Sequence, residues 1–283
     1  MVPRKRWKQR RPIDKSTLCT VLVLLLIFMS ACGGTVLDQD SEEEPEQARI
    51  GEIIVFADES LGPVVLDLKS SFESAHPGFV VSVTVDRPEK LASRILREET
   101  CDVLLLEAGE GFSKLADKIR PESVCGMMED PLVLAADPND ADPDIGWEEV
   151  ISKLNAGEMR LALDNKDAQV MSRIQSILES FQCNISLLAN TGALMFCTDG
   201  RNCADTILAK EADCGILRQS DAVLTGLRIQ DRALEDRCSL LIYSSAIPVS
   251  SAHPDSAWTF LDYLKLDAGK GILIKYGFVP LSQ

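Results

Sequence analysis

The side chains that could carry out acid–base or nucleophilic chemistry are few in this sequence. His76 and His253 are the two histidines, and each directly precedes a proline in a turn-like context that favours the surface. Ser60 follows an apolar run, as a nucleophile would, but no histidine lies beside it in sequence to take its proton. A glycine-rich phosphate loop and a Gly-x-Ser-x-Gly turn are both missing from the sequence. The sequence therefore predicts a protein that is not an enzyme.

Cysteine is the other reactive residue type, and the chain has nine. Cys19 and Cys32 lie near the start, and the remaining seven are Cys101, Cys125, Cys183, Cys197, Cys203, Cys214 and Cys238. Without C-x-x-C spacing, and with two histidines, a zinc site is disfavoured, and we predict no metal or other cofactor. Outside the cytoplasm seven cysteines suggest disulfides, whose pairing the sequence leaves open. For Cys101 and Cys214, in or beside apolar runs, we predict small buried hydrophobes instead.

The charge balance is strongly acidic, with 44 Asp and Glu against 29 Lys and Arg and a net charge of −15. Seven of the basic residues fall in the first fifteen positions, so the rest of the chain is more acidic still. Nucleic acids and anionic lipid surfaces are bound through basic patches. The composition therefore excludes nucleic acid as a partner and disfavours electrostatic docking on a membrane.

The first 31 residues have the parts of an export signal. A basic segment from Arg4 to Lys15 precedes an apolar run from Leu18 to Met29, and Ser30-Ala31-Cys32 follows. The run is shorter than the roughly 20 apolar residues that a membrane-spanning helix needs, whereas it suits a signal peptide. Because the end of the run resembles the bacterial lipobox, we predict that residues 1–31 are a lipoprotein signal peptide and that Cys32 carries a lipid anchor. The protein would then face the periplasm or the cell exterior.

The stretch after Cys32 is acidic and has no large apolar cluster. Such a segment cannot bury enough surface to offset its chain entropy. We therefore predict that residues 32–49 form a disordered tether.

From residue 50 onward, short apolar runs alternate with amphipathic segments. Glu52–Ala57, Phe79–Val85 and Asp102–Leu106 are typical of buried strands, and Val65, Leu68 and Phe72 share one helical face. Further strands are predicted at 131–135, 160–163, 193–196, 215–217 and 239–243, with helices around 147–155, 168–182, 201–210 and 254–275. This alternation predicts α/β architecture with parallel sheets covered by helices on both faces.

Several segments, in order along the chain, resemble the molybdate-binding proteins of ABC transporters. They span roughly residues 51–279 and are Glu52–Leu61, Leu91–Ile95 with Cys101–Leu104, Asp130–Leu134, Arg160–Ala162, Gly215–Ala222, Phe260–Lys265 and Ile274–Phe278. The resemblance implies the two-lobed periplasmic-binding-protein fold of type II, in which each lobe is a sheet flanked by helices and ligand binds between them. Lobe 1 would comprise 50–130 and 226–283, and lobe 2 would comprise 131–225, with two crossover strands as a hinge.

The resemblance also implies which residues line the cleft. Ser60 keeps the family's serine after the first strand, and Arg218 replaces a tyrosine of the second lobe. Gly200 falls in a loop where the backbone N–H would bind, and Arg87 and Glu59 fall in or beside the expected ligand loops. Two donors are expected to be lost, because Pro88 lies near a serine position and the Pro-Ala-Gly turn is missing near Asn165 to Met171.

These residues predict a lipid-anchored solute-binding component of an ABC importer, with an ABC permease as partner and molybdate or a related oxyanion as ligand. Helix N-termini suit such anions because free N–H groups point at them. Three interpretations of the altered cleft stay open. Arg218, together with Arg87, would bind a different oxyanion or a carboxylated solute. Alternatively, Asp58, Glu59 and Asp86 would favour a cationic or polar ligand, or the protein would be a sensor or scaffold without transport.

Overall fold

The computed structural model describes residues 50–140, 145–165, 168–233 and 236–282. The predicted signal peptide, the lipidation site at Cys32 and the tether lie outside these residues. Within the described ranges, none of the helices combines the length and the apolar character that crossing a membrane requires.

The first sheet has six strands in the order β11-β4-β10-β3-β1-β2. Strand β3 is apolar and buried from Val103 to Leu106, and β1 and β2 pair in parallel register from Gly51 opposite Phe79 to Asp58 opposite Asp86. The bounds are β1 Gly51–Asp58, β2 Phe79–Asp86, β3 Val103–Glu107, β4 Cys125–Glu129, β10 Ile242–Ala246 and β11 Val279–Pro280.

The second sheet has five strands in the order β7-β6-β8-β5-β9. Its strands are β5 Leu132–Ala136, β6 Leu161–Asp164, β7 Leu194–Cys197, β8 Cys214–Arg218 and β9 Arg228–Arg232. Strand β9 belongs to this sheet through its pairing with β5, although the sequence-based division assigns 226–283 to lobe 1. The lobe boundaries themselves stay a prediction.

Both sheets are mixed, so the expectation of parallel sheets is wrong for part of each. Strand β10 runs antiparallel to β3 and β4, and β5 runs antiparallel to β8 and β9. The strands joined through helices, such as β1 with β3 and β6 with β8, are parallel as expected. The antiparallel strands stand next to the two crossings between the sheets, from β4 to β5 and from β9 to β10. There the strand–helix–strand unit that produces parallel neighbours is interrupted.

Ten helices with apolar inner faces cover the sheets in the described chain. They are α1 Gly62–Ala75, α2 Pro88–Leu96, α3 Glu110–Ser113, α4 Trp147–Ala156, α5 Ala168–Ser180, α6 Ile185–Asn190, α7 Gly200–Leu208, α8 Gln219–Thr225, α9 Pro254–Lys265 and α10 Asp267–Lys275. Prolines in the first turn of α1, α2 and α9 fit helix starts, where an N–H has no partner within the helix.

The single helix expected over 254–275 is two helices. Leu266 has extended backbone angles and separates α9 from α10. Gly269, in the first turn of α10, lies so close to the end of α9 that an added Cβ would be 2.7 Å from the Tyr263 carbonyl oxygen. Only glycine permits this tight junction.

The hydrophobic core supports the expected roles of the two apolar cysteines. Cys101 and Cys214 are both buried, as predicted. His76 stacks on Phe72 with ring centroids 4.4 Å apart, and His253 donates its backbone N–H to the buried carboxylate of Asp102 at 3.0 Å.

Candidate functional site

The C-terminal end of β1 carries a buried carboxylate that is bound by the next turn. Asp58 accepts hydrogen bonds from the backbone N–H of Ser60 at 3.0 Å and from its hydroxyl group at 2.7 Å. Asp58 thereby caps a short 3-10 turn, Glu59–Leu61, which leads into α1. The turn places Ser60 at the edge of the first sheet, half-buried, with both of its donors directed at Asp58.

Tyr243, the second residue of β10, completes this group from a strand that is separated from β1 by β3. Its hydroxyl oxygen lies 2.7 Å from the Ser60 hydroxyl oxygen, and the residue is 1% exposed. A serine hydroxyl has one proton, and that of Ser60 points at Asp58, so Tyr243 donates to Ser60. Burial raises the pKa of Tyr243 well above its usual value, which keeps the phenol protonated. The result is a directed chain from Tyr243 through Ser60 to Asp58.

Arg218, the last residue of β8, brings a positive charge from the second sheet to the same place. It is 6% exposed, and its charge lowers the pKa of Asp58, of Asp130 and of Tyr243. Burial nevertheless has the largest effect on Asp58 and raises its pKa, against the Ser60 hydrogen bonds and Arg218. The two sheets therefore meet at a group that contains Asp58, Ser60, Tyr243 and Arg218.

A second buried carboxylate lies where the chain first crosses between the sheets. Asp130 stands between β4 and β5, is 0% exposed, and accepts from the Ser220 backbone N–H at 2.9 Å and its hydroxyl group at 2.6 Å. Burial raises the pKa of Asp130 to about 7, although the Ser220 hydroxyl and the Arg218 charge oppose the increase. This pair joins the first crossing to the N-terminus of α8.

The start of α8 also packs on the C-terminal part of the chain. Gln219 donates its side-chain amide to the carbonyl oxygen of Gly277, and its backbone N–H to the Pro131 carbonyl oxygen at 2.8 Å. Gly277 has φ of 89°, and a Cβ there would approach the Gln219 carbonyl oxygen to 3.0 Å. The C-terminal segment Ile274–Phe278, one of those that carry the family resemblance, therefore packs closely on the start of α8.

Helix α5 closes over the strand ends of the first sheet. Arg173 donates to the Glu107 carboxylate at 2.9 Å, and the side chains are 11% and 12% exposed. Arg173 also donates to the Ser239 carbonyl oxygen at 3.2 Å, on the second crossing. One turn earlier, Gln169 lies beside Gly109. A cavity of about 240 Å³ opens here, lined by Gln169 and by residues of the first sheet's side, among them Pro88, Glu89, Glu107 and Lys114.

The five ligand residues predicted from the sequence differ in how they are placed. Ser60 contacts Asp58, and Arg218 is near enough for its charge to lower the pKa of the same carboxyl. Glu59 is exposed directly beside this group. Arg87 is exposed at the start of α2, and its backbone N–H is taken by the Asp86 carboxylate at 2.8 Å. Gly200 begins α7, is buried, and lies against the Asp221 side chain so closely that no larger residue would fit.

Three members of the site were not among the predicted ligand residues. Asp58 appeared in the sequence as an acidic neighbour of Ser60 rather than as its hydrogen-bond acceptor. Tyr243 is 183 residues away from Ser60, and Asp130 is 90 residues away from Ser220. The available signal was a polar residue within or at the end of an apolar run, because such residues need a buried partner.

The fold defines the class of this protein before any sequence comparison. Two mixed α/β sheets flanked by helices form the architecture of the periplasmic solute-binding proteins, so the predicted fold class is confirmed. The family model of bacterial extracellular solute-binding proteins matches residues 53–279, and the chain belongs to this family. It is thus an extracellular solute-binding protein of the ABC-transporter type. No curated protein matches the chain significantly.

Solved structures with this fold have different ligands in their names. The structure described as the substrate-binding domain of a putative molybdenum ABC transporter from Clostridium difficile has a TM-score of 0.73 at 16% identity, covering 82% of this chain and 100% of that one. The periplasmic molybdate-binding protein of Azotobacter vinelandii has a TM-score of 0.62 at 16% identity, covering 82% of this chain and 100% of that one. Iron-bound HitA from Pseudomonas aeruginosa has a TM-score of 0.61 at 17% identity, covering 82% of this chain and 87% of that one. At these identities the similarity shows the fold, and the ligand must be argued from the site.

Proposed function

We propose that this protein is the lipid-anchored, extracytoplasmic solute-binding component of an ABC importer, and that its site takes a small oxyanion of the molybdate kind. The observation that carries the proposal is the way Asp58 is held. Its carboxylate accepts a backbone N–H and a hydroxyl group from Ser60 and lies in the field of Arg218. These are the donors that a bound oxyanion needs.

An oxyanion can use these donors only if Asp58 gives them up. With the carboxylate ionised, a second anion at Ser60 would be repelled by the negative charge of Asp58 in a poorly solvated place, at a cost of several kcal/mol. Loss of that charge, by protonation or by substitution, removes the cost and lets the anion bind to the Ser60 donors in the field of Arg218. Asp58 therefore sets the affinity for anions, and we expect anion affinity to rise as the pH falls. Because burial raises the pKa of this carboxyl, the rise begins above the usual pH of aspartate protonation.

A second candidate function follows from the same contact. If the hydrogen bonds between Asp58 and Ser60 persist when the solute binds, the site offers the negative charge of Asp58 beside Arg218. Such a site suits a polar or cationic solute instead. A protein that senses or supports another component without transport would also keep this contact.

Isothermal titration calorimetry of the chain without residues 1–31 distinguishes these functions. Molybdate, tungstate, sulfate and phosphate would be titrated into the wild type, Asp58→Asn and Asp86→Asn. The Asp58→Asn side chain keeps the shape and an acceptor oxygen without the charge, so anion affinity should rise at least tenfold, corresponding to about 1.4 kcal/mol. Asp86 is the matched control, since it ends the neighbouring strand in register with Asp58 but is paired with Lys90 at 3.1 Å near the surface.

Ser60→Ala should reduce anion affinity in both the wild-type and the Asp58→Asn backgrounds. No heat and no thermal shift with any of the four anions, in any variant, would reject the oxyanion proposal. An anion affinity that Asp58→Asn and Asp86→Asn raise equally would reject the role of Asp58.

The anchor and the permease are tested separately from the ligand. Cys32→Ser should abolish incorporation of radiolabelled palmitate and move the chain from the membrane fraction to the soluble fraction. Reconstitution with a permease encoded beside this protein should give anion uptake that depends on Ser60. A Cys32→Ser chain that still incorporates palmitate would contradict the anchor.

A further inference from the structure

Two cysteines flank the loop that joins β7 to α7. Cys197 is the last residue of β7, and Cys203 is the fourth residue of α7. They are 4% and 0% exposed and lie in one apolar cluster with Ala162 and Ala204. Their surroundings shield both thiols from solvent in the folded protein.

The loop between them is held by its own hydrogen bonds. The Asp199 carboxylate accepts the Asn202 backbone N–H at 2.8 Å and so caps α7, and the Asn202 side-chain oxygen accepts the Thr198 backbone N–H at 3.1 Å. These bonds fold the chain back, so that the first turns of α7 lie against the end of β7. A short, fixed loop of this kind determines how the flanking side chains meet.

The two cysteine side chains lie close together across this loop, in the same apolar cluster. Cys197 Sγ is 3.9 Å from Thr206 Oγ1, and Thr206 lies one turn beyond Cys203 on the same helical face. The neighbouring Cys203 side chain is the largest cause that lowers the pKa of Cys197 to about 7. The Cys197 side chain, together with burial, raises the pKa of Cys203.

The other thiols with hydrogen bonds in the described chain have different neighbours. Cys101 donates to the Val103 carbonyl oxygen at 3.2 Å, and Cys125 to the Gly126 carbonyl oxygen at 3.6 Å. Cys214 contacts the Met159 sulfur at 3.7 Å. Contact between two cysteines distinguishes Cys197 and Cys203 from these residues.

We propose that Cys197 and Cys203 form a disulfide bond in the exported protein, which joins the end of β7 to α7 across the loop that contains Gly200. The family acts outside the cytoplasm, where disulfides persist. The oxidant is an external disulfide of the cell envelope, carried by a protein or a small thiol.

The exchange proceeds in two balanced steps. The Cys197 thiolate attacks one sulfur of the external disulfide, forms a mixed disulfide and releases the first external thiol. The Cys203 thiolate then attacks the Cys197 sulfur, forms the internal bond and releases the second external thiol. The chain loses two electrons and two protons, which the external disulfide gains as two thiols. Because both sulfurs are buried in the folded state, the exchange takes place while the chain folds after export.

This bond would fix one side of the second sheet's site region. Gly200 lies inside the bridged loop and is pressed against Asp221, which directly follows Ser220. The bridge would therefore hold the start of α7 against the start of α8, next to the Ser220–Asp130 pair.

Peptide mapping of the full chain from the envelope of an expressing bacterium tests the bond. Free thiols are blocked with iodoacetamide under denaturing, non-reducing conditions before digestion with trypsin. Trypsin cuts after Arg201, between the two cysteines, so a bond links peptide Ile174–Arg201 to peptide Asn202–Lys210. We expect this linked pair without reductant and its separation with dithiothreitol. Alkylation of both Cys197 and Cys203 in the unreduced chain would overturn the proposal.

Peptide Ile174–Arg201 also contains Cys183, so a control must exclude that residue. The Cys183→Ser variant should retain the linked pair, and a pair that disappears in this variant overturns the assignment. In the wild type, dithiothreitol should lower Tm by about 5 °C, as expected for a bond that closes a short loop. The same treatment should leave Tm of Cys203→Ser unchanged, whereas an equal shift in both proteins counts against the bond.

Discussion

Asp58 and Asp130 each accept one hydrogen bond from a serine backbone N–H and one from the same serine's hydroxyl group. The two pairs also share the charge of Arg218. They differ in span and in access. Asp130 reaches a serine 90 residues away in a fully buried place, while Asp58 reaches a serine two residues away whose neighbour Glu59 is exposed.

The difference separates a structural contact from an exchangeable one. Asp130 and Ser220 connect a crossing between the sheets to α8, and both partners are buried away from any solute that could replace one of them. Asp58 and Ser60 are joined within one turn at the C-terminal end of β1, and the proposed function requires a ligand to replace the carboxylate there. Under the proposed function, the same donor set supports the fold at Ser220 and binds the solute at Ser60.

Removal of the Asp130 carboxylate, at the crossing from β4 to β5, should have the largest effect on the free energy of unfolding. Asp130→Ala leaves the N–H and hydroxyl group of Ser220 buried without the Asp130 acceptor and removes one negative charge near Arg218, and we expect a loss of about 3 kcal/mol in the free energy of unfolding. Urea denaturation followed by circular dichroism measures it. Asp86→Ala, near the surface, should change the value by less than about 0.5 kcal/mol. Equal losses in the two variants would contradict the structural role of Asp130.

The raised pKa of Asp130 should also make the free energy of unfolding depend on pH. Its pKa of about 7 exceeds the usual value of 3.8, so between about pH 4 and pH 7 the native state keeps a proton that the unfolded chain has released. The stabilisation from this proton is complete below the unfolded pKa and is lost as the pH rises through the folded pKa. Asp130→Asn cannot titrate, so its unfolding free energy should decrease less than that of the wild type between about pH 4.5 and pH 7.5. Parallel curves for the two proteins would contradict the raised pKa.

The contacts of Arg173 with Glu107 and Ser239 provide a third comparison. They test whether the packing of α5 on the first sheet can be lost while the fold remains stable. Arg173→Ala removes the bonds to Glu107 and to the Ser239 carbonyl oxygen, at a cost of about 1–2 kcal/mol because the pair is mostly buried. Hydrogen exchange should increase in α5 and around Glu107, and X-ray scattering should report a larger radius of gyration. Lys90→Ala, which breaks a more exposed ion pair with Asp86, serves as control. Unchanged exchange around Glu107 would mean that Arg173 does not hold α5 closed.

Tyr243→Phe should have the smallest effect and should sharpen the description of the Asp58 pair. It removes one buried donor to Ser60 without changing the shape of the core, for a loss of about 1 kcal/mol in stability. Because the Ser60 hydroxyl can then rotate more freely, anion affinity should also fall by a few-fold in the Asp58→Asn background. An increase in affinity would show that Tyr243 competes with the ligand rather than orienting Ser60.

Much of the fold was predictable because the strands are continuous apolar runs and the helices have one apolar face. The direction of β5 and β10 was not, because it depends on which sheet the chain enters after a crossing. In the site, Ser60 and Arg218 each follow or end an apolar strand, where ligands of such sheets bind. The orientation of Asp58 could not be predicted, because an aspartate near a turn has several local N–H partners of similar strength. The contact of Tyr243 with Ser60 could not be predicted either, because it depends on which distant strands lie near each other in the sheet.

The direction of the Tyr243–Ser60–Asp58 chain has a consequence for selectivity. Tyr243 gives its proton to Ser60, and Ser60 gives both of its protons outward, so the position now held by the Asp58 carboxylate faces donors alone. An oxygen atom that still carries a proton would place hydrogen against hydrogen there, while a bare oxygen is accepted. The protein would then distinguish solutes by their state of protonation as well as by size. Such a filter favours an anion that is fully ionised at the pH of the envelope over one of similar shape that is not.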